Sequence, residues 1–489
     1  MNIIDPNEQV KVPKDLLVLE RGRDELLLAD NMVTRPLYVK EGRQYILKFL
    51  ASARKLGTRE RIIAAYPHEE TLVNLLLDSG IIVPQAANGQ NRPRPLDVLS
   101  SVKKRQMSLY LLASQSCNMN CVYCLNGRAS YQTDKNLKMD RTVAFRSIDR
   151  CLEDISEDGR LEIIFFGGEP LLNWPLAKDA ILHCEKRLGE NHKGKQRQYH
   201  FTSNLSFLPG DLIEWARKYD ISFLCDIDGP PDIHNRARPF RNGGGTYEST
   251  VRSIEKMLAA GLKIDFRATI TSLNQDHLFE IAELHKALGG NSSGFVPVTP
   301  VNSDQSLLPD ELLPSIEKII SGMTDVYRSK LWERENLYPF NQYAARFRPG
   351  YQTPLGCGAA YGNLPAVAAN GDVYPCIYLV GIRKFHLGNI RDAGYPQSEL
   401  VGQLFDSLHV DSLEGCKRCP WRYLCGGGCP LGRLTVTNNP AATTKVESYC
   451  KEVRCDLTKS VLELLLWEKA DETASCRNGT LDHTLLLCK

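Results

Sequence analysis

Three closely spaced cysteines are the residues whose pattern most directly suggests chemistry. Cys117, Cys121 and Cys124 occur in the segment SQSCNMNCVYC, with three and then two residues between them. Three thiolates on one loop can bind three irons of a [4Fe–4S] cube and leave the fourth iron open to another ligand. A zinc half-site and a chance grouping of cysteines are the alternatives. Because the loop directly follows a predicted strand, the iron–sulfur interpretation is favoured.

A Gly-Gly-Glu-Pro segment follows the next predicted strand, in the sequence IIFFGGEP. Gly167 and Gly168 allow the backbone to approach a ligand closely, and Glu169 can accept a hydrogen bond from an ammonium group. Pro170 completes the segment. In isolation such a segment is equally consistent with an ordinary turn. Its position after the cysteine loop favours a ligand-binding role.

A larger set of cysteines lies in the C-terminal third of the chain. Seven thiolates exceed the four of one tetrahedral site and are one short of two complete cubes. A pair of structural zinc sites is the alternative, since Cys-x2-Cys pairs also suit zinc. Five other cysteines fit neither pattern and are predicted to be buried or incidental thiols: Cys151, Cys184, Cys225, Cys476 and Cys488. The seven are Cys357, Cys376, Cys416, Cys419, Cys425, Cys429 and Cys450.

Composition limits the classes of protein that this chain can represent. It has 489 residues, of which 16 are cysteines, and a formal net charge of +2. Such a balance gives no global attraction to nucleic acid or anionic lipid. The start lacks a signal-peptide pattern, and no apolar run is long enough to span a bilayer. We therefore expect a cytoplasmic protein with no nucleic-acid or membrane partner, in which reduced cysteines bind metal.

The pattern of apolar runs predicts an α/β fold. From Met107 onward, six strand-like segments alternate with helical segments, which indicates a parallel sheet, either open or curled into a partial (β/α)6 barrel. In such folds the active site lies at the carboxyl ends of the strands. The predicted divisions are 1–90, a winged-helix-like α+β domain; 91–106, a linker; 107–300, the barrel; 301–350, a helical connection; 351–460, a cysteine-rich domain; and 461–489, a helix and tail.

Taken together, these segments resemble the radical S-adenosylmethionine (SAM) superfamily with a C-terminal SPASM extension. The resemblance implies that the open iron binds SAM, and that the SPASM region carries two further [4Fe–4S] clusters, three in all. It also implies an outer cluster held by Cys416, Cys419, Cys425 and Cys450, and an inner one held by Cys357, Cys376 and Cys429. A substrate thiolate, a water or another cysteine such as Cys455 would complete the inner cluster.

The same resemblance suggests further residues that contact the cofactor. Tyr123 matches a residue that packs near the adenine, and Asn204 matches one in a ribose-contacting turn. In the segment DIDGPPDIHNRAR, Arg238 fits an arginine near the SAM carboxylate, whereas Asp226 stands where a serine is usual. For Asn204, Asp226 and Arg238, solvated turn residues are an equally good interpretation.

The resemblance also implies a function, and three hypotheses remain open. The first is a maturase that installs a thioether or carbon–carbon crosslink in a ribosomally made peptide or protein, using electrons from a flavodoxin or ferredoxin. The second is oxidation of Ser or Cys, as in anaerobic sulfatase maturases. Those enzymes typically carry an aspartate after the second SPASM cysteine, where this chain has Ile377, which cannot accept a proton. The third is a zinc-stabilised, non-catalytic peptide-binding scaffold.

Overall fold

The structure is a computed structural model of the chain. It describes residues 9–29, 36–84, 104–125, 138–302, 305–347, 353–392, 398–437, 439–476 and 485–487. Residues 91–103 of the predicted linker lie outside these ranges, and the first barrel strand begins at Lys104 rather than at Met107.

The described chain alternates strands and helices along most of its length. The strands are β1 (Val10–Lys11), β2 (Leu17–Arg21), β3 (Glu25–Ala29), β4 (Leu37–Val39), β5 (Val83–Pro84), β6 (Lys104–Ser114), β7 (Ile155–Gly167), β8 (Gln196–Thr202), β9 (Ile221–Asp226), β10 (Ile264–Ile270), β11 (Ser292–Pro297), β12 (Leu337–Tyr338), β13 (Ala366–Val367), β14 (Val373–Tyr374) and β15 (Leu485–Leu487). The helices are α1 (Arg43–Leu56), α2 (Arg59–Ala65), α3 (Glu70–Asp78), α4 (Arg141–Asp154), α5 (Trp174–Asn191), α6 (Leu212–Tyr219), α7 (Pro231–Ala237), α8 (Tyr247–Ala259), α9 (Leu278–Ala287), α10 (Ile316–Arg328), α11 (Phe340–Ala344), α12 (Ser398–Leu408), α13 (Arg422–Cys425), α14 (Leu431–Thr435), α15 (Thr444–Glu452) and α16 (Thr458–Cys476).

Six consecutive parallel strands form the centre of the largest sheet. Strands β6 to β11 lie side by side in chain order, and each pairs in parallel with its neighbour. Helices α4, α5, α6, α8 and α9 occupy the connections between them. The six predicted strands and the five predicted helices between them are therefore confirmed. Helix α7, within the segment DIDGPPDIHNRAR, was not predicted.

Aromatic residues in register set the packing between the sheet and its helices. Phe165 on β7 pairs with Phe201 on β8, which pairs with Phe223 on β9. Their rings stack, with centroids 4.5 Å apart for the first pair and 5.8 Å for the second. All three are fully buried in the largest apolar core. On the opposite face of these strands, side chains such as Asp226 and Arg267 are only partly buried, and this face borders a cavity.

The N-terminal region is a separate α+β unit. Strands β2, β3 and β4 form an antiparallel sheet, and helices α1 to α3 cover it through an apolar core of their own. The strands predicted from ELLLAD and RPLYVK are present, whereas β2 was not predicted. At the other end of the chain, β15 pairs antiparallel with β4, in a segment where a loose tail was expected.

The cysteine-rich region is joined to the barrel through the main sheet. Strand β13 pairs in parallel with β6, and β14 pairs antiparallel with β13. Helix α16 then packs its apolar side chains against the N-terminal sheet, where Leu462 and Leu466 contact the cluster that contains Leu17 and Leu27. No helix in the described part of the chain combines enough length with an apolar run to cross a membrane.

The packing of α16 gives a prediction about stability. Leu466, on α16, is fully buried where this helix packs against the N-terminal sheet. We expect Leu466→Ala to lower the free energy of unfolding by about 2–5 kcal/mol, because it leaves a cavity at this contact. Urea unfolding followed by tryptophan fluorescence measures the change. Glu463→Ala on the same helix is the matched control and should change stability by less than about 0.5 kcal/mol; equal effects of the two substitutions would contradict the packing described.

Candidate active site

The three-cysteine loop is fixed in place by backbone hydrogen bonds to the segment that follows α7. The amide of Asn120 donates to the carbonyl of Pro239 at 2.8 Å, and that of Val122 donates to Ala237 at 2.9 Å. Arg241 also donates from its side chain to the carbonyl of the first cysteine at 2.6 Å. The loop at the carboxyl end of β6 is therefore tied to a segment that follows β9, on the far side of two intervening strands.

The two glycines after β7 lie directly against the backbone of the cysteine loop. A Cβ on Gly167 would lie 2.3 Å from the carbonyl oxygen of Ser114, and one on Gly168 would lie 2.4 Å from that of Ser116. Gly167 also has a φ of +131°, which side chains disfavour. The amides of Gly168 and Glu169 donate to Ser114 and Ser116 at 2.8 and 2.9 Å. Both glycines line the cavity as well, so they allow close approach on two sides.

Glu169 is turned inward from the cavity wall. Its carboxylate is fully buried and accepts hydrogen bonds from Ser203 Oγ and from the amides of Leu171 and Asn204, at 2.8–2.9 Å. Burial raises the pKa of Glu169 to about 7, although these donors lower it. Neither Glu169 nor Pro170 is among the residues that line the cavity. The described geometry thus gives Glu169 a role in joining the ends of β7 and β8.

A cavity of about 930 Å³ opens at the carboxyl ends of the strands, beside the cysteine loop. The cavity brings together nine of the predicted site residues, from five separate segments of the chain. Those that line it are Cys117, Cys121, Tyr123, Cys124, Gly167, Gly168, Asn204, Asp226 and Arg238.

Buried charges form one wall of this cavity. Arg267 contacts both carboxylate oxygens of Asp226, at 2.7 and 3.2 Å, and Arg238 lies 3.5 Å from the same carboxylate. Arg238 also donates to the hydroxyl of Tyr123 at 2.6 Å, and that hydroxyl donates to Asp228. Burial opposes ionisation of Asp226, but the two guanidinium groups hold its pKa below the ordinary value. Asp228 is more deeply buried, and burial raises its pKa to about 6.

Arg238 and Asn204 both line this cavity. The Arg238 side chain is almost fully buried, and its Nε has no hydrogen-bond partner among the described residues. A buried donor without a partner costs free energy, so an acceptor from a ligand in the cavity would stabilise it. Asn204 approaches Cys117 with its side-chain nitrogen 3.8 Å from the sulfur. These features fit a ligand that carries a carboxylate beside a cluster bound by the loop.

Three of the C-terminal cysteines meet around a smaller apolar cavity of about 390 Å³. Cys357, Cys376 and Cys429 line it together with Tyr378. Burial raises the pKa of all three thiols, that of Cys429 to about 11. Replacing the proton with a metal would offset the cost of a bare thiolate beside this apolar lining. The three cysteines that the sequence assigned to an inner cluster are therefore brought together.

The other cysteines of this region are grouped differently from the expected pattern. Cys419 and Cys425 pack against the cluster that includes α16. Cys450 packs instead against the core beside the barrel and lines a cavity together with Cys429. Within the ranges described, no three His, Cys, Asp or Glu side chains are close enough to hold a single metal ion. A [4Fe–4S] cube is larger than one ion and places its ligands further apart.

A third cavity of about 1040 Å³, the connecting cavity, lies between these two regions. It shares the wall from Val296 to Thr299 with the cavity beside the cysteine loop, and it shares Cys429 with the smaller apolar cavity. Tyr378 lines all three. A molecule bound here would contact Cys429 and Cys450 and would lie beside the wall of the cysteine-loop cavity.

Sequence reasoning missed Asp228, Arg267 and Tyr378. A signal was available for the first two. In β10, Arg267 alternates with the buried Phe266 and Ala268, so a charge must face the interior of the barrel. Asp228 lies two residues after Asp226, which is the spacing of side chains on one face of a strand. Tyr378 had no such signal, since it lies in a short 3-10 turn far along the chain.

The contact at Gly167 gives a second prediction. We expect Gly167→Ala to reduce the free energy of unfolding by roughly 2–4 kcal/mol, because the new Cβ would meet a carbonyl and the backbone is left-handed there. Gly189→Ala is the matched control, since Gly189 lies on the exposed side of α5 with open space around it. The control should stabilise by up to about 1 kcal/mol. Urea unfolding compares them, and a neutral Gly167→Ala would refute the close approach.

Known proteins resemble this chain across the barrel and beyond it. The cysteine-type anaerobic sulfatase-maturating enzyme of Clostridium perfringens is 23% identical over 354 residues, which cover 70% of this chain and 92% of that protein. The radical SAM cyclopropyl synthase TigE of Paramaledivibacter caminithermalis is 26% identical over 429 residues, covering 81% of this chain and 82% of that protein.

A solved structure shares the fold. Native anSMEcpe with bound AdoMet and Cp18Cys peptide superposes with a TM-score of 0.59 at 19% sequence identity, covering 74% of this chain and 99% of that one. The family described as the Radical SAM superfamily matches residues 111–285, the part of the chain that contains the cysteine loop and its cavity. The chain therefore contains a radical SAM domain, which the family model matches over residues 111–285.

Proposed function

We propose that this enzyme binds SAM in the cavity beside the three-cysteine loop and modifies a peptide or protein in the adjoining cavity. The observation that carries the proposal is the shared wall from Val296 to Thr299, together with Tyr378, which separates the two spaces. When bound, the loop cluster and SAM supply a radical that abstracts hydrogen from a substrate. A substrate in the connecting cavity would lie next to the source of that radical.

The residues of the first cavity suit the parts of SAM in turn. Cys117, Cys121 and Cys124 would hold the cluster. Arg238 has a buried donor available for the SAM carboxylate, and Asp226 and Arg267 keep that guanidinium in place through their ion pairs. Gly167 and Gly168 would leave room for the methionine part, Asn204 would lie near the ribose, and Tyr123 near the adenine.

The C-terminal cysteines are proposed to bind two further [4Fe–4S] clusters, giving three in all. Their support is the convergence of Cys357, Cys376 and Cys429 on one cavity. Auxiliary clusters would accept an electron after hydrogen abstraction, which makes crosslinks and oxidations possible. A flavodoxin or ferredoxin is the proposed electron donor, and the cytoplasm is the proposed location, since a reducing compartment keeps 16 cysteines available for metal.

The N-terminal unit is proposed to recognise the peptide as a winged-helix-like domain. Extended peptides can add to the edge of a sheet through main-chain hydrogen bonds. Its sheet has the order β15-β4-β3-β2, so β15 already covers the edge at β4. A peptide would add at β2 or replace β15. The proposed substrate is a ribosomally made precursor, and a domain used only for packing is the alternative.

We favour installation of a thioether or carbon–carbon crosslink over a sulfatase-type oxidation. Relatives that carry both kinds of name are similar to this chain, so resemblance does not choose between them. Ile377 favours the crosslink, because it packs against an apolar cluster and has no group to accept a proton. A zinc-bound scaffold is the third candidate. Analysis of iron, sulfide and zinc in protein purified without oxygen tests it, since two zincs and no iron would end the radical proposal.

The first catalytic prediction concerns the cysteine loop. We expect the reduced, iron-loaded enzyme to release 5′-deoxyadenosine from SAM and Cys117→Ala to lose this activity, because a cube with two protein ligands does not persist in the loop. Cys184→Ala, which removes a buried thiol outside both cysteine groups, is the control and should keep it. Chromatography of the nucleoside products measures the result. Equal activity in the two variants would contradict the proposed cluster site.

Product mass distinguishes the two reactions. A peptide encoded beside this chain, incubated with the enzyme and SAM, should lose the mass of two hydrogen atoms while keeping every residue. Oxidation of a cysteine side chain to an aldehyde would remove sulfur and give a different mass. Oxidation of a serine would also remove two hydrogen atoms, but fragmentation would place that change on a single residue and a hydrazide would label its aldehyde. Either outcome would replace the crosslink with the sulfatase-type reaction.

The second catalytic prediction concerns Tyr378. Its side chain lines all three cavities. Burial raises the pKa of Tyr378, and the nearby Arg267 guanidinium offsets part of that rise. We expect Tyr378→Phe to keep 5′-deoxyadenosine formation while slowing peptide modification about tenfold or more, because the substrate loses its polar partner. Ile377→Val is the control beside it. Parallel loss of both activities would show that Tyr378 acts only through the fold.

A further inference from the structure

Two cysteines, Cys450 and Cys455, are candidates for the fourth ligand of the outer cluster. The outer group is the set of cysteines that holds this cluster, and the inner group is the set that holds the inner cluster. The two candidates lie five residues apart, and Cys455 falls in a π-helical turn, Val453–Leu457, between α15 and α16. Such turns insert a residue into a helix and are frequent at functional sites. The family pattern assigns Cys450 to the outer group with Cys416, Cys419 and Cys425. The contacts of the surrounding backbone indicate a different pairing.

Two glycines show how the cysteine segment runs beside this helix. A Cβ on Gly432 would lie 2.9 Å from the sulfur of Cys450, and one on Gly428 would lie 2.6 Å from the Arg454 side chain and 2.9 Å from its carbonyl. The segment therefore runs antiparallel to the helix, with its later residues at Cys450 and its earlier ones at Arg454. Cys425 precedes both glycines, and so it lies toward the Cys455 end.

The packing of each cysteine agrees with this direction. Cys419 and Cys425 pack against the apolar cluster that contains Leu462 and Leu466 of α16, the helix that follows Cys455. Cys450 instead packs against the core beside the barrel and lines the connecting cavity together with Cys429.

An arginine links the outer group to the same end of the helix. Arg433 donates to the sulfur of Cys416 at 3.5 Å and to the carbonyl of Gly427 at 3.0 Å. Cationic donors of this kind stabilise a cluster whose thiolates carry net negative charge.

We propose that Cys455 completes the outer group with Cys416, Cys419 and Cys425, and that Cys450 completes the inner group with Cys357, Cys376 and Cys429. Eight thiolates then make two full sets of four. The inner cluster keeps no open iron for a substrate thiolate, so a thioether would form without the donor sulfur bound there. This inference rests on the proposed auxiliary clusters.

Iron content of paired substitutions tests the assignment. The wild-type protein, reconstituted without oxygen, should hold about twelve irons, and fewer than about eight would refute the cluster content itself rather than the pairing. Cys416→Ala should lose about four. The double variant Cys416→Ala, Cys455→Ala should lose no more, because both residues serve one cluster. Cys416→Ala, Cys450→Ala should lose about eight, and Cys184→Ala should lose none.

The opposite order of the two double variants, or equal iron in both, would overturn the proposal. A second measurement avoids substitution altogether. Iodoacetamide labelling of the iron-loaded wild-type protein, mapped by mass spectrometry, should leave Cys450 and Cys455 unlabelled until a chelator removes the iron. Cys455 is only partly buried, so as a free thiol it would react. Its labelling in the loaded protein would show that it is not a ligand.

Discussion

Two backbone hydrogen bonds, from Gly168 to Ser114 and from Glu169 to Ser116, hold the ends of β6 and β7 together where the cysteine loop begins. They form because residues 167 and 168 lack a Cβ, and any side chain there would meet a carbonyl oxygen. The start of the cysteine loop is thereby held at the carboxyl ends of these two strands. Its far side is held by the segment after α7, so the three thiols are positioned by the main chain rather than by their own packing.

The charged wall of the cavity beside the cysteine loop depends on this placement. Arg238 and Arg267 share the carboxylate of Asp226, and Tyr123, which belongs to the cysteine loop, connects Arg238 to Asp228. Removing charges from water is costly, and only mutual pairing offsets that cost. Such a network keeps its dipoles fixed before a ligand arrives, which is the condition for electrostatic stabilisation without reorganisation.

How far the sequence predicts this structure follows from the range of each interaction. Apolar runs locate the six parallel strands, because burial is a local property of a strand, and the spacing of the cysteine loop locates the site. Long-range pairing is not encoded locally, so β2 and the β15–β4 contact were missed. Glu169 was expected to contact a ligand, yet its oxygens are used by neighbouring backbone. A one-dimensional cysteine order likewise cannot show whether Cys450 or Cys455 turns toward Cys425.

The parallel pairing of β13 with β6 has a consequence for how the chain can be divided. Ala366 and Val367 lie opposite Tyr110 and Leu111, and they cover that side of the first barrel strand. A shortened chain that ended before them would leave a flat row of unpaired amides and carbonyls beside an apolar core. Exposed edges of this kind recruit other strands and promote aggregation. The barrel therefore needs the cysteine-rich region in order to stay soluble, even though each has its own chemistry.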